Sequence, residues 1–182
     1  MIKVVNTKIK DLKIIKTKVY NDNRGYFSES FNFNQFKQKI GNIQFIQDNE
    51  SYSKRGVLRG LHYQKKPHEQ SKLVRVIKGE IQDVVVDLRK KSQTYLNYQS
   101  FILNDKNKNQ LFVPKGFAHG FCTLENNTLI SYKVDQIYNK ENESGVLWND
   151  PDLEIVWPEY NEYIISDKDK LLPKFKDVKN YF

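Results

Sequence analysis

Hydrophobic positions in this chain come in short runs broken by polar turns, and only one stretch repeats at helical spacing. Runs rich in Val, Ile, Phe, Tyr and Thr occupy residues 81–88, 98–103, 110–113 and 128–134. β-Branched and aromatic residues of this kind fit a pleated, half-buried surface, so these runs predict strands. Turn formers punctuate them at Asn21-Asp22-Asn23, Lys78-Gly79, residues 104–109 and Glu125-Asn126-Asn127. Phe33, Phe36 and Ile40 share one helical face and Gly41 follows where a helix would end, which predicts one short helix over residues 33–40. The pattern as a whole predicts an all-β sandwich or barrel with one or a few short helices. No Pro/Gly/Ser-rich linker, internal repeat or low-complexity tract divides residues 1–182, so a single domain is expected. A chain of this length can close a core without disulfides or metals. The last stretch, residues 166–182, is less regular, and Leu171, Leu172, Phe175 and Phe182 are expected to pack it back onto the body.

Composition narrows the picture only a little. The net charge of +8 is spread over lysines along the whole length, with doublets such as Lys65-Lys66 and Lys90-Lys91, not gathered into a basic block. That distribution argues against a nucleic-acid surface and leaves a phosphorylated small-molecule substrate, or no functional message at all. Cys122 is the single cysteine and cannot form an internal disulfide, and no apolar stretch approaches the length that spans a bilayer. The opening residues lack the apolar run and small-residue cleavage site of a secretory signal. A reduced, cytoplasmic protein that does not engage membranes is expected.

Candidate chemistry centres on the three histidines. His62 lies in Val57-Leu58-Arg59-Gly60-Leu61-His62-Tyr63-Gln64 and His119 in Val113-Pro114-Lys115-Gly116-Phe117-Ala118-His119-Gly120-Phe121, both strand-like and apolar. His68, in Lys66-Pro67-His68-Glu69, reads as a solvated turn residue. The Pro-x-Gly-x-x-His stretch ending at His119 resembles the second motif of the cupins, jelly-roll proteins in which that histidine often binds metal. A cupin's first motif carries two histidines one residue apart plus a carboxylate, whereas His62 is followed by Tyr63 and Gln64. Two histidines fall short of the three or four protein ligands typical of zinc or iron, so no metal is expected. Around His62 the sequence crowds Arg24, Glu29, Gln47, Asn49, Arg59 and Lys72. A dry core would not tolerate that density of polar groups unless it held a polar ligand.

Nine motifs, in order, carry a resemblance that covers nearly the whole chain. They are Asp22-Asn23-Arg24-Gly25-Tyr26-Phe27-Ser28-Glu29, Gln47-Asp48-Asn49-Glu50-Ser51, the two histidine motifs above, Gln70-Ser71-Lys72-Leu73-Val74, Tyr132-Lys133, Trp148-Asn149-Asp150-Pro151, Leu153-Glu154-Ile155-Val156-Trp157-Pro158 and Ile165-Ser166-Asp167-Lys168-Asp169. With them the chain resembles the dTDP-4-dehydrorhamnose 3,5-epimerases. The resemblance implies a cupin-like jelly roll without metal or organic cofactor, a homodimer, and a dTDP-linked 4-keto-6-deoxy sugar as substrate in bacterial rhamnose synthesis.

It also implies roles. His62 would be the base with Asp169 as its partner, Lys72 would meet charge on the C4 oxygen, and Tyr132 would deliver the proton to the opposite face. Arg24 and Arg59 would clamp the diphosphate, a task suited to guanidinium forks. Glu29, Gln47, Asp48, Asn49, His119, Glu143 and Lys168 would contact sugar or nucleotide, and Phe27 would stack on the thymine. The chemistry wants such groups. Hydrogens on C3 and C5 flank the carbonyl, so a base must reach the proton and a charged or hydrogen-bonding group must meet the enolate oxygen. A histidine, with an unperturbed pKa of about 6.5, suits the first task, and a carboxylate behind it fixes the tautomer. Three alternatives stay open at this point: an epimerase of one centre or of another nucleotide sugar, a non-catalytic cupin that binds a sugar nucleotide, and a metal-dependent cupin enzyme.

Overall fold

The computed structural model describes residues 2–178 and residue 182. In chain order the elements are β1 (Lys3–Asn6), β2 (Lys13–Lys16), β3 (Val19–Asp22), β4 (Gly25–Ser28), α1 (Phe33–Lys39), β5 (Gln47–Ser53), β6 (Val57–Gln64), β7 (Lys72–Lys78) and β8 (Glu80–Asp87). There follow β9 (Tyr98–Asn104), β10 (Asn109–Val113), β11 (Phe117–Thr123), β12 (Thr128–Val134), β13 (Glu143–Gly145), β14 (Ile164–Ile165) and α2 (Asp167–Lys170). One sheet runs β1-β2-β10-β7-β12-β5 and the other β13-β6-β11-β8-β9, with β14 added in parallel to β6. Among the described residues strands β3 and β4 pair only with each other, as a hairpin outside both sheets.

The architecture is the expected all-β sandwich, and alternation along the strands explains it. On the inner faces Val74, Val76, Leu111 and Ile130 of one sheet meet Ile81, Val85, Phe101, Phe117 and Phe121 of the other in one buried cluster. The opposite face of the second sheet is also covered. Leu58, Leu61, Val84, Val86 and Cys122 pack there beneath Val146, Leu153 and Trp157 of the C-terminal third. Strand β8 is apolar on both faces for that reason, and its run shows no clean alternation. The outer face of the first sheet is covered in part by α1, whose Phe36 sits with Ile2, Ile15, Leu73 and Phe112. Asn32 caps this helix, its side chain accepting the Gln35 N–H at 3.1 Å.

Local expectations need three adjustments. The turn at residues 21–23 is displaced by one residue, because Asp22 pairs with Gly25 and its carboxylate accepts the Arg24 N–H at 2.8 Å, leaving Asn23-Arg24 as the turn. The tail does return to the body, with Phe175 and Phe182 on the second sheet's outer cluster, but Leu171 is 83% exposed. Residues 179–181 of that tail lie outside the described residues. His68 is half-buried and not fully solvated: its backbone N–H donates to Lys65, and its Nδ1 is buried without a hydrogen-bond partner among the described residues.

Candidate active site

Pairing between β6 and β11 sets the centre of the site. His62 lies opposite His119, and Arg59 opposite Phe121, so β6 carries one residue more than β11 over this interval. Such a bulge changes which residues share a face. Arg59 and His62, three apart, both face the space between the sheets, while Leu58 and Leu61, also three apart, both enter the outer cluster. Gly60 permits this: its φ is +125°, and a Cβ there would stand 2.6 Å from the Gly120 Cα. Only glycine takes that conformation and that approach without strain.

His62 and His119 are each held by a carboxylate. His62 Nε2 lies 2.7 Å from Asp169 Oδ1, and Asp169 Oδ2 accepts the Gly60 N–H at 3.2 Å. Asp169 is buried in α2, and its own N–H is capped by Ser166 Oγ at 3.2 Å. Burial acts to raise its pKa, but the hydrogen bond and charge of His62, the Gly60 N–H and Ser166 outweigh it and hold the carboxyl below its usual range. His119 Nε2 sits 2.9 and 3.0 Å from the two oxygens of Asp83, which is completely buried in β8.

The facing sheet contributes Lys72 from β7 and Tyr132 from β12. Both line the same cavity of about 480 Å³ with Arg59, His62, His119 and Asp169. Burial pushes the Lys72 ammonium down to about 8, while Asp83 and Glu143 act in the opposite sense. Among the described residues Lys72 forms no ion pair within 4.0 Å. Burial raises the Tyr132 hydroxyl, Arg59 opposes that, and Glu143 adds to it.

A second cavity of about 370 Å³ adjoins the first, sharing His62, Lys72, Tyr132 and Glu143 and adding Gln47, Asn49 and the exposed ring of Tyr138. Glu143 bridges the two. Its Oε2 accepts from Lys168 Nζ at 2.5 Å and from the Tyr138 hydroxyl at 2.6 Å. Burial would raise this carboxyl, yet those two bonds and the Lys168 charge lower it.

Eight expected residues thus share the first cavity: Arg59, His62, Lys72, His119, Tyr132, Glu143, Lys168 and Asp169. Gln47 and Asn49 join them through the second. Four others are not brought there within one chain. Arg24 is 85% exposed at the hairpin turn, and Phe27, on the same hairpin, borders a different cavity beside Arg75 and Lys108. Glu29 accepts from Asn32 and Gln35 at the start of α1. Asp48 faces outward on β5, where Lys133 binds both carboxylate oxygens at 2.9 Å. The structure adds Asp83, Tyr138, Glu50, Ser51 and Tyr52 to the surroundings. A carboxylate in the middle of the apolar run 81–88, which carries a second one, Asp87, near its end, was the available signal for Asp83. Among the described residues no group of three or more His, Cys, Asp or Glu side chains is arranged to hold a metal ion.

A carboxylate-backed imidazole on one wall, facing a phenol and a half-buried ammonium on the other, can move a proton across a small ligand. The sequence model described as dTDP-4-dehydrorhamnose 3,5-epimerase matches residues 6–177. The chain belongs to that family. A Shigella flexneri protein described as dTDP-4-dehydrorhamnose 3,5-epimerase is 47% identical over 180 residues, 98% of each chain. The crystal structure of an enzyme of the same description from Elizabethkingia anophelis superposes with a TM-score of 0.93 at 46% identity, covering 99% of both chains. A 3,5-epimerase from Legionella pneumophila, solved with dTDP-4-keto-L-rhamnose, gives a TM-score of 0.95 at 41% identity over 98% of this chain and 95% of that one. The sandwich is the cupin-like jelly roll of these epimerases, and the enzyme is an epimerase acting on a sugar nucleotide.

Proposed function

We propose that the enzyme converts dTDP-4-dehydro-6-deoxy-D-glucose to dTDP-4-dehydro-L-rhamnose with His62 as base and Tyr132 as acid. The observation that carries this reading is their placement on facing sheets around one cavity that also holds Lys72. In the D-gluco chair the hydrogens on C3 and C5 are both axial and on the same face. One base on one wall therefore serves both carbons, and one acid on the other wall supplies the new proton to each with inversion, the imidazolium losing its proton to solvent and the phenolate regaining one between the two events.

The contacts support the following steps. With Nε2 engaged by Asp169, Nδ1 of His62 is the nitrogen left to take the proton, and Asp169 stabilises the imidazolium that forms. Charge then moves to the C4 oxygen, where the Lys72 ammonium receives it. A pKa of about 8 leaves that ammonium protonated at neutral pH and close enough to titration to yield a proton. Tyr132, with its hydroxyl raised by burial, is neutral and carries the proton that the opposite face of C3 or C5 needs. Arg59 stands ready for the diphosphate, Gln47 and Asn49 for the nucleotide-linked sugar, and the exposed Tyr138 ring offers a flat surface to the base. The Legionella relative solved with the keto sugar supports this substrate.

The hairpin supports a second copy in the working enzyme. Arg24 and Phe27 project from β3–β4, outside both sheets, and with Glu29 they line neither cavity of the site. A homodimer in which this hairpin reaches the partner's cavity would give all three a substrate to bind. A sugar-nucleotide substrate and an unpaired, buried Cys122 suit the cytoplasm.

The test is a proton NMR time course of dTDP-4-dehydro-6-deoxy-D-glucose with the enzyme in heavy water. Deuterium should enter at C3 and C5. Exchange at one carbon alone would make it a single-centre epimerase, and exchange at neither would overturn the assignment.

A further inference from the structure

Asp83 has no part in the chemistry above, yet its position asks for one. It is completely buried, and its strand neighbours on the same face, Ile81 and Val85, enter the apolar cluster between the sheets. Among the described residues its hydrogen bonds go to His119 alone, both oxygens lying within 3.0 Å of Nε2. Replacing such a buried pair with apolar residues of the same volume is commonly neutral or stabilising, so packing alone does not explain a carboxylate here.

We propose that Asp83 is a positioning residue: it fixes His119 as the Nε2–H tautomer, turning Nδ1 to the sugar, and keeps the neighbouring Lys72 charged where the enolate oxygen develops. This rests on the proposed role of Lys72. The charged and titratable groups that share the cavity with Lys72 are Glu143 from β13, Arg59 and His62 from β6, His119 from β11, Tyr132 from β12, Glu50 and Tyr52 from β5, and Lys168 and Asp169 from α2, with Asp83 from β8 behind His119. Of the carboxylates among them, Asp83 and Glu143 act to raise a lysine that burial has lowered. Glu143 is already bound by Lys168 and Tyr138. Asp83, by contrast, is held only by a histidine, which leaves its charge less neutralised toward Lys72.

The test is Asp83→Asn, which keeps size and a hydrogen-bond acceptor for Nε2–H and removes the charge. Affinity for dTDP alone should stay within about twofold of wild type. Exchange at C3 and C5 should lose kcat by roughly tenfold or more with KM little changed, the pattern of an interaction made in the transition state. With one carboxylate gone the Lys72 ammonium is less favoured, so the alkaline limb of the kcat profile should move to lower pH. A kcat within about twofold of wild type, or a lower kcat with that limb unmoved, overturns the proposal. Nitrogen-15 NMR of the imidazoles in the wild-type enzyme gives a second reading that needs no variant. His119 protonated at Nε2 is the expected result, and the neutral Nδ1–H tautomer would overturn it. Should the wild-type enzyme exchange neither carbon, the proposed function fails, while the tautomer still decides for or against Asp83.

Discussion

His62 and His119 oppose each other in register across β6 and β11, and each turns its Nε2 to a carboxylate from another element. They differ in access. The His62 side chain is 29% exposed to the cavity and that of His119 only 8%. A base must touch the hydrogen it removes, so the more open imidazole is the one suited to proton abstraction. His62→Asn should therefore lower C3 and C5 exchange by about 10³-fold, within the usual range for loss of a general base. Binding of dTDP, measured by calorimetry, should survive. Rapid deuterium exchange in this variant would remove His62 from the role.

Asp169→Asn probes the same dyad from behind. An amide can donate to Nε2 and leave the proton on Nδ1, the wrong tautomer for a base that faces the sugar with Nδ1, so kcat should fall by about 10²- to 10⁴-fold. Stability follows the sign of the shift. Asp169 has a lowered pKa in the fold, so its contribution is present above the ordinary carboxylate value and is lost as pH falls through the folded one. Thermal melts of wild type and variant should therefore differ at neutral pH and converge in acid.

Lys72→Met should separate stability from activity. The folded pKa of about 8 lies below the ordinary lysine value, which means that burial of the ammonium opposes folding at pH 7. That penalty is relieved as pH rises from about 8 to about 10.4, where the unfolded chain still binds the proton. Methionine keeps the length without the charge, so the variant should melt a few degrees higher at pH 7 while exchange falls at least tenfold. Equal activity in the variant would overturn the proposed place of Lys72 at the enolate oxygen.

The same contrasts show how far the sequence could be read. Strands β8, β9, β10 and β12 and helix α1 were visible because each has a run or a period of its own. The His62–Asp169 contact spans 107 residues, and no local pattern encodes it; only the motif resemblance pointed to the pair. Asp83 stayed hidden because its partner lies on a strand that is brought alongside β8 only by sheet pairing. Asp48 was grouped with Gln47 and Asn49 by motif, but alternation on β5 sends it to the opposite face. Arg24, Phe27 and Glu29 were assigned to the substrate from sequence, and a single chain gives no reason for them to be near it.

Gly60→Ala should be among the most damaging small changes in the molecule. A methyl group there meets the Gly120 Cα at 2.6 Å and the His119 carbonyl at 3.0 Å on a backbone with φ of +125°. Backbone cannot yield as a side chain can, so β6 and β11 must part and both histidines move. A loss of about 3 kcal/mol or more is expected in urea unfolding, with activity reduced beyond detection of the stability change alone. Gly25→Ala is the control: φ is +130° but nothing lies within 4 Å, so only backbone strain of about 1 kcal/mol should appear. Similar losses for the two would show that the close approach of the strands contributes nothing.

Complementation tests whether the hairpin acts on the partner. Arg24 projects from β3–β4 and His62 lies in the cavity between the sheets, so under the proposed dimer each site takes His62 from one copy and Arg24 from the other. His62→Asn and Arg24→Ala should each be defective as homodimers. Co-refolded in equal amounts, half of the dimers are mixed, and each mixed dimer has one site with both native residues and one with neither. Exchange should then recover to about a quarter of the wild-type rate per protein, a consequence of two-fold symmetry alone. If Arg24 served its own chain's cavity, every mixed dimer would contain two defective sites and mixing would restore nothing. The recovered fraction therefore reads the path of the hairpin directly, and it does so in the assembled enzyme.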